Sequence, residues 1–372
     1  MANHETETNK GPYRNSFFHF CHCAWIDRRL IILFLCNPKQ ALPGFATILS
    51  GAFTHGAKGV GQVFYYATPI ILTGLSVGFA FKTGLFNIGT PGQFIMGGFG
   101  AVYVGILWTS LGPAHWIVAL LASVILGAVW GLVPGLLKAY FNVNEVIASI
   151  MMNYIGMYLV NWIVKSYKPL FNNLRNESRN VAATANIPKM GLDKIFPGSS
   201  VNGGILIAIL TVIVIWLLLN KTTFGYELKA VGFNRDASKY AGINEKKSII
   251  LSMVIAGAIA GLAGGLLYLA GTGKHIEIKD VLASEGFTGI SVALLGLSNP
   301  IGVLFSGIFI AYLTAGGFYL QLFEFSTEII DIIVAVIIYF SAFALMVKII
   351  LSKIHRQKGE KAEAAKEGGT KS

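Results

Sequence analysis

The chain has 372 residues, 54% of them hydrophobic and only 13% charged, with 43 glycines and a formal net charge of +11. A soluble globule of this length carries about twice that charged fraction, so the composition excludes an ordinary soluble enzyme or binding module. Mean hydropathy is +0.63. The apolar runs are continuous and rich in Leu, Ile, Ala and Gly, which selects membrane helices over a barrel of short alternating strands. The basic residues fall mostly in loops and in the tail, as membrane topology demands, so the charge is no sign of nucleic-acid binding.

Residues 1–37 form an N-terminal region with a poor first span at 16–36, interrupted by Asp27, Arg28 and Arg29. Charges in mid-bilayer are costly. Cys21, Cys23 and Cys36 all lie here, with His19 and His22 interleaved in FHFCHC. Thiolates and imidazoles bind zinc, but the spacing fits no closed zinc site and no second ligand pair follows. No metal and no cofactor is expected. The first twenty residues lack the apolar core and small-residue cleavage site of a secretory signal.

Further spans are expected at 64–82, 93–110, 115–137, 145–165, 204–220, 248–271, 286–298, 301–321 and 329–351, giving an all-α protein of about ten transmembrane helices within a domain at 38–351. Short basic loops stay cytoplasmic. That rule places the basic 221–247 loop and the tail 352–372 inside, and the long 166–203 loop outside. The tail is Lys/Glu/Ala/Gly-rich and reads as disordered or a frayed helix. The expected location is a membrane, multi-pass, with the C-terminus cytoplasmic.

Two polar interruptions break the apolar pattern early in the chain. In Gly84–Gly98, GLFNIGTPGQFIMGG, glycine and proline break the helix beside Phe86, Asn87, Thr90 and Gln93. The segment is either a broken helix beside a substrate path or a tight turn at the membrane surface. In the fifth span, Glu145, Ser149 and Asn153 are four apart and share one helical face. A polar stripe on an apolar helix faces protein or water. Interhelical bonding for Asn153 and a helix-end role for Glu145 stand beside the substrate-path reading. A third interruption, Glu285–Pro300, again joins an acidic residue, glycines and a short apolar run, and interrupted segments in both halves of a transporter point to its path.

The segment Lys221–Lys247, KTTFGYELKAVGFNRDASKYAGINEKK, is a polar and basic insertion between two long apolar runs. A structured helix–glycine–helix loop at the cytosolic face offers a docking surface. The chain itself shows no energy source. The nearest approach to a P-loop, GTGKH at Gly271–His275, has Tyr268 where the first glycine should be and His275 in place of Ser/Thr. No H-E-x-x-H is present, and an enzyme role is not expected.

GLFNIGTPGQ, NEVIASIMMNYI, TTFGYELKAVGFNRDASKYAGI, AGAIAGLAGG and NPIGVL, in this order over about residues 40–350, resemble the permease subunits of bacterial ABC importers. The group includes simple-sugar, branched-chain amino acid and nucleoside permeases, and NIGTPGQ followed by NEVI…MNYI is most similar to the nucleoside branch. The resemblance implies a second permease subunit, identical or different, cytosolic ABC ATPases and an extracellular solute-binding lipoprotein. It also implies a coupling helix carried by Gly232, Asn234, Arg235, Ala237, Tyr240, Ala241 and Gly242. The charged, Cys-containing start of the chain departs from the clean first span of that family. The rival reading is an ion-coupled carrier or channel, which would need intramembrane charge pairs; an importer of a simple sugar or branched-chain amino acid is the nearer alternative.

Overall fold

The computed structural model describes residues 41–319 and positions 332, 335, 336 and 339. The expected spans at 16–36 and 329–351, the three cysteines and the 352–372 tail lie outside the described residues. Two units divide the chain, one comprising 1–49 with 317–372 and the other 50–316. The second holds nearly all that can be described.

The described helices follow the expected spans closely. They are α1 (Ala41–Thr54), α2 (Gly56–Lys82), α3 (Thr90–Leu107), α4 (His115–Phe141), α5 (Glu145–Ser166), a short α6 (Leu192–Ile195), α7 (Gly204–Lys221), α8 (Thr223–Phe233), α9 (Arg235–Tyr240), α10 (Glu245–Tyr268), α11 (Ser284–Leu295) and α12 (Pro300–Phe318). Among the described residues six helical stretches are long and apolar enough to cross a membrane. Helix α1 went unread in the sequence, because ALPGFATILSGAFT is broken by Pro43 and two glycines.

Helix α10 is the packing centre, set against α4, α3 and α2. Its AGAIAGLAGG run explains why. Gly257, Gly261 and Gly264 fall at i, i+4 and i+7 and share a face. A Cβ on Gly127 of α4 would lie 2.6 Å from Gly261 Cα, and one on Gly131 would lie 3.1 Å from Gly257 Cα. A Cβ on Gly98 of α3 would meet the Tyr268 ring at 2.6 Å. Small residues let helix backbones touch where lipid supplies no hydrophobic drive. The outer faces are apolar instead: Ile117, Leu121, Ile125 and Val129 recur every four residues on α4 and are exposed.

The connections sort to two ends. At one, the turns after α2, α4 and α7 lie together, and α5, α8 and α10 are capped there by side chains. Asn144 Oδ1 accepts from Val146 N at 2.9 Å, Thr222 Oγ1 from Gly225 N at 3.0 Å, and Asn244 Oδ1 from Lys247 N at 3.1 Å. Such caps satisfy the orphan N–H groups of a first turn. At the other end the 166–203 connection forms a two-stranded ribbon, β1 (Phe171–Asn172) with β2 (Glu177–Ser178). It is stitched down by Ser178 N to Ile276 O at 2.9 Å, Ala182 N to Gly105 O at 2.9 Å and Ile187 N to Leu269 O at 2.9 Å. Nearby, Lys279 Nζ donates to Glu277 Oε2 at 2.9 Å and holds that carboxyl below its usual range.

Candidate functional site

The polar residues singled out in the sequence gather at the first of these ends. Asn87 and Gln93 form a reciprocal amide pair, Asn87 Nδ2 donating to Gln93 Oε1 at 2.9 Å and Gln93 Nε2 to Asn87 Oδ1 at 3.2 Å. Asn153 of α5 closes the network. Its Oδ1 accepts from Gly92 N at 2.9 Å and its Nδ2 donates to Ile88 O at 3.0 Å. Thr90 Oγ1 donates to Asn87 O at 3.3 Å. All four side chains are buried, so each amide group finds the partner that burial requires.

Within the segment 84–93, Leu85, Asn87 and residues 89–93 are buried, while Gly84 is exposed. Residues 85–87 run without helical bonds, Phe86 stacks on Phe81 at 4.8 Å, and α3 starts with Pro91 in its first turn, where a missing N–H costs nothing. Asn153 lies eight residues along α5, about 12 Å from its start, so α3 begins inside the bundle and not at its edge. Glu145 stays at the edge, its Oε2 2.8 Å from Lys138 Nζ, with the backbone N–H of Phe86 directed to the same carboxylate. Ser149, between these levels, has a buried hydroxyl with no hydrogen-bond partner.

The loop residues form a second constellation directly below. Asn234 links α8 to α9, its Oδ1 accepting from Ala237 N at 3.0 Å. Ala241 N reaches Ala237 O at 3.0 Å, and Gly242 at φ +83° reverses the chain toward α10. Arg235 grips Glu245 with two nitrogens, at 2.7 and 3.3 Å, and reaches Asn142 Oδ1 at 3.3 Å. Gly232 belongs to the packed part of this loop. It sits within α8 with its Cα against Gly84, where a Cβ would lie 2.7 Å from Gly84 N. Phe233 and Tyr240 project outward, 91% and 94% exposed.

Sequence reasoning treated these as separate sites. It also missed the partners Asn142 and Glu245 of Arg235, and the Thr83–Ser252 hydroxyl pair that ties the end of α2 to α10. Only proximity in the fold reveals those pairings.

Comparison with known proteins gives this arrangement a family. Residues 59–342 match the family described as branched-chain amino acid transport system / permease component. The chain belongs to this family. The permease is 36% identical, over 88% of its length and 92% of the relative's, to the guanosine ABC transporter permease protein NupP of Bacillus subtilis. It is 34% identical, over 85% of its length and 87% of the relative's, to the nucleoside ABC transporter permease protein NupB of Lactococcus lactis. A glucose ABC transporter permease protein, TsgB13 of Haloferax volcanii, is 30% identical over 76% of the permease and 75% of the relative. No solved structure matches. The permease is thus a multi-pass membrane protein and the membrane-spanning subunit of an ABC importer.

Proposed function

We propose that this permease carries nucleosides. It pairs with a second permease subunit, takes solute from an extracellular binding lipoprotein and releases it inward when cytosolic ABC ATPases cycle. The nucleoside assignment is supported by the names of the two relatives aligned over most of their length. Hydrolysis of ATP belongs to the partner chain, since this sequence carries no P-loop.

The geometry that carries the coupling is the α8–α9 segment. Phe233 and Tyr240 are bare, yet their helices are fixed by caps, by the Arg235–Glu245 pair and by the Gly232–Gly84 contact. Rigid exposed aromatics are what a binding hot spot requires, and the ATPase is the partner they fit. Gly232, Asn234, Arg235, Ala237, Tyr240, Ala241 and Gly242 make up this docking element. Phe86, Asn87, Thr90, Gln93, Glu145, Ser149 and Asn153 belong to the inner seal of the solute path. The seal rests on the docking element through Gly84, so a push on α9 reaches it.

The same reading puts the 221–247 loop and the 352–372 tail in the cytosol and the 166–203 loop outside, with ten spans in all. The alternation of connections between two ends of the bundle supports it. The test is uptake of labelled guanosine into proteoliposomes holding the assembled transporter. Uptake that needs ATP and the ATPase is expected; uptake by the permease alone would favour an ion-coupled carrier, and uptake of glucose instead would move the substrate to the sugars.

A further inference from the structure

Helix α5 has two unlike sides. On the inward side Asn153 holds Gly92 and Ile88, and the adjoining Pro91 packs on Gly286 of α11, where a Cβ on Gly286 would lie 2.6 Å from Pro91 Cα. On the outward side Ile147, Met151, Tyr154 and Tyr158 are exposed. Their spacing of four, three and four residues keeps them within about 60° of the helix circumference. They form one narrow stripe. The buried Ala148, Ser149, Asn153, Gly156 and Val160 lie on the side turned toward α3 and α4.

Charged groups fix the depth of the stripe. Glu145, paired with Lys138, opens α5, and the exposed Lys165 stands next to its last residue. The helix between them is about 30 Å long, which matches a hydrocarbon core of about 30 Å. Tyr154 then lies about 13 Å, and Tyr158 about 20 Å, from the Glu145 level. Tyrosines of the interfacial belt rest at the membrane edges, as Trp162 does here, whereas these two lie well inside. Helix side chains lean toward the N-terminus, which turns the Tyr158 ring toward the midplane and away from the Lys165 edge. Tyr154 is 47% and Tyr158 53% exposed, and among the described residues no hydrogen bond reaches either hydroxyl.

The outward faces of other spans lack such groups. Leu206, Leu210, Ile213 and Leu217 of α7 repeat at the same spacing, and Leu121, Ile125 and Val129 line α4; all are exposed and aliphatic. Lipid suits them. Spacing therefore does not set α5 apart, but its hydroxyls do, because an unpaired hydroxyl in hydrocarbon is costly. We propose that this face of α5 packs on the second permease subunit, which supplies hydrogen-bond partners for Tyr154 and Tyr158 in mid-membrane. The assignment rests on the two-permease reading above and deepens it. Of the partners in that reading, the ATPase and the binding lipoprotein act at the two membrane surfaces, so the second permease is the one that reaches this depth. Tyr and Met are enriched at protein interfaces, and interhelical hydrogen bonds contribute where lipid supplies no hydrophobic drive.

The test places the photo-crosslinker p-benzoylphenylalanine at position 154, 158, 125 or 210 of the complete transporter in its native membrane. Illumination at 154 and 158 is expected to join the chain to a second permease chain, identical or different, identified from the peptides of the adduct. Positions 125 and 210 are expected to give no such adduct. The double variant Tyr154→Phe, Tyr158→Phe keeps both rings and is expected to retain roughly tenfold less of the second permease on purification, at an unchanged membrane level. Permease adducts from 125 or 210 in place of 154 and 158, adducts confined to a single chain, or undiminished co-purification of the double variant would overturn the assignment while leaving the pairing intact. Absence of any second permease chain from the purified wild-type transporter would instead overturn the pairing, and this face with it.

Discussion

Gly84 and Gly232 touch backbone to backbone. A Cβ on Gly232 would fall 2.7 Å from both Gly84 N and Thr83 C, and Gly84 itself holds φ +76°, a conformation that L side chains rarely adopt. The contact joins the turn before α3 to α8, and so joins the proposed docking element to the Asn87–Gln93–Asn153 network. Gly232→Ala must push these segments apart. It is expected to lower solute uptake severalfold or more while the protein still reaches the membrane and still binds ATPase. ATP hydrolysis measured beside uptake would show the two uncoupled.

Phe233 and Tyr240 make few contacts within the chain, so Phe233→Ala and Tyr240→Ala are expected to leave the melting temperature of the detergent-purified protein nearly unchanged, within about 0.5 kcal/mol of stability. If these aromatics anchor the ATPase, each loss costs about 2 kcal/mol of binding, some 30-fold. Co-purification of the ATPase reads this directly. Undiminished capture by both variants would remove them from the interface.

Arg235 and Glu245 make a two-pronged pair whose side chains are 34% and 16% exposed. Pairs this open contribute at most about 1 kcal/mol to stability, so the pair's importance lies in aiming α9. Arg235→Lys keeps the charge but not the planar fork. Uptake is expected to fall nearly as far in Arg235→Lys as in Arg235→Ala, with thermal stability preserved in both. Full rescue by lysine would show that charge alone suffices.

Within the seal, Asn153 and Ser149 should behave oppositely. Asn153→Ala strands the buried Gly92 N, at a cost of about 1–3 kcal/mol, and frees the part-buried Ile88 O. Ser149→Ala removes a buried hydroxyl that bonds nothing, a change expected to be neutral or mildly stabilising. Melting curves of the two variants in one detergent make the comparison.

The spans were legible because their cause is local: continuous apolar runs closed by Asn, Thr, Gly and Pro caps. The run AGAIAGLAGG, by contrast, reads only as a family motif, and its glycine row gains meaning when Gly127, Gly131 and Gly98 are found against it. What escaped was relational. Gly232 in GFNRDASKYAGI looks like a hinge until Gly84 is seen against it, about 150 residues earlier. Asn87, Gln93 and Asn153 read as two separate polar interruptions until their amides are found bonded to one another and to backbone. Pro91 and Gly286 lie in segments whose similarity is faint, and their contact depends on where α3 and α11 begin within the bundle, which no periodicity encodes. Arg235 was singled out, but Glu245 read only as one of three acids in a basic loop.

The central claim is that this chain is the permease through which an ABC importer moves nucleosides. Uptake of radiolabelled guanosine, glucose and leucine in a strain deleted for the permease tests it most directly. Loss of guanosine uptake alone, restored by the wild-type chain and not by Gly232→Ala, is the expected result. Guanosine uptake unchanged by the deletion would contradict it.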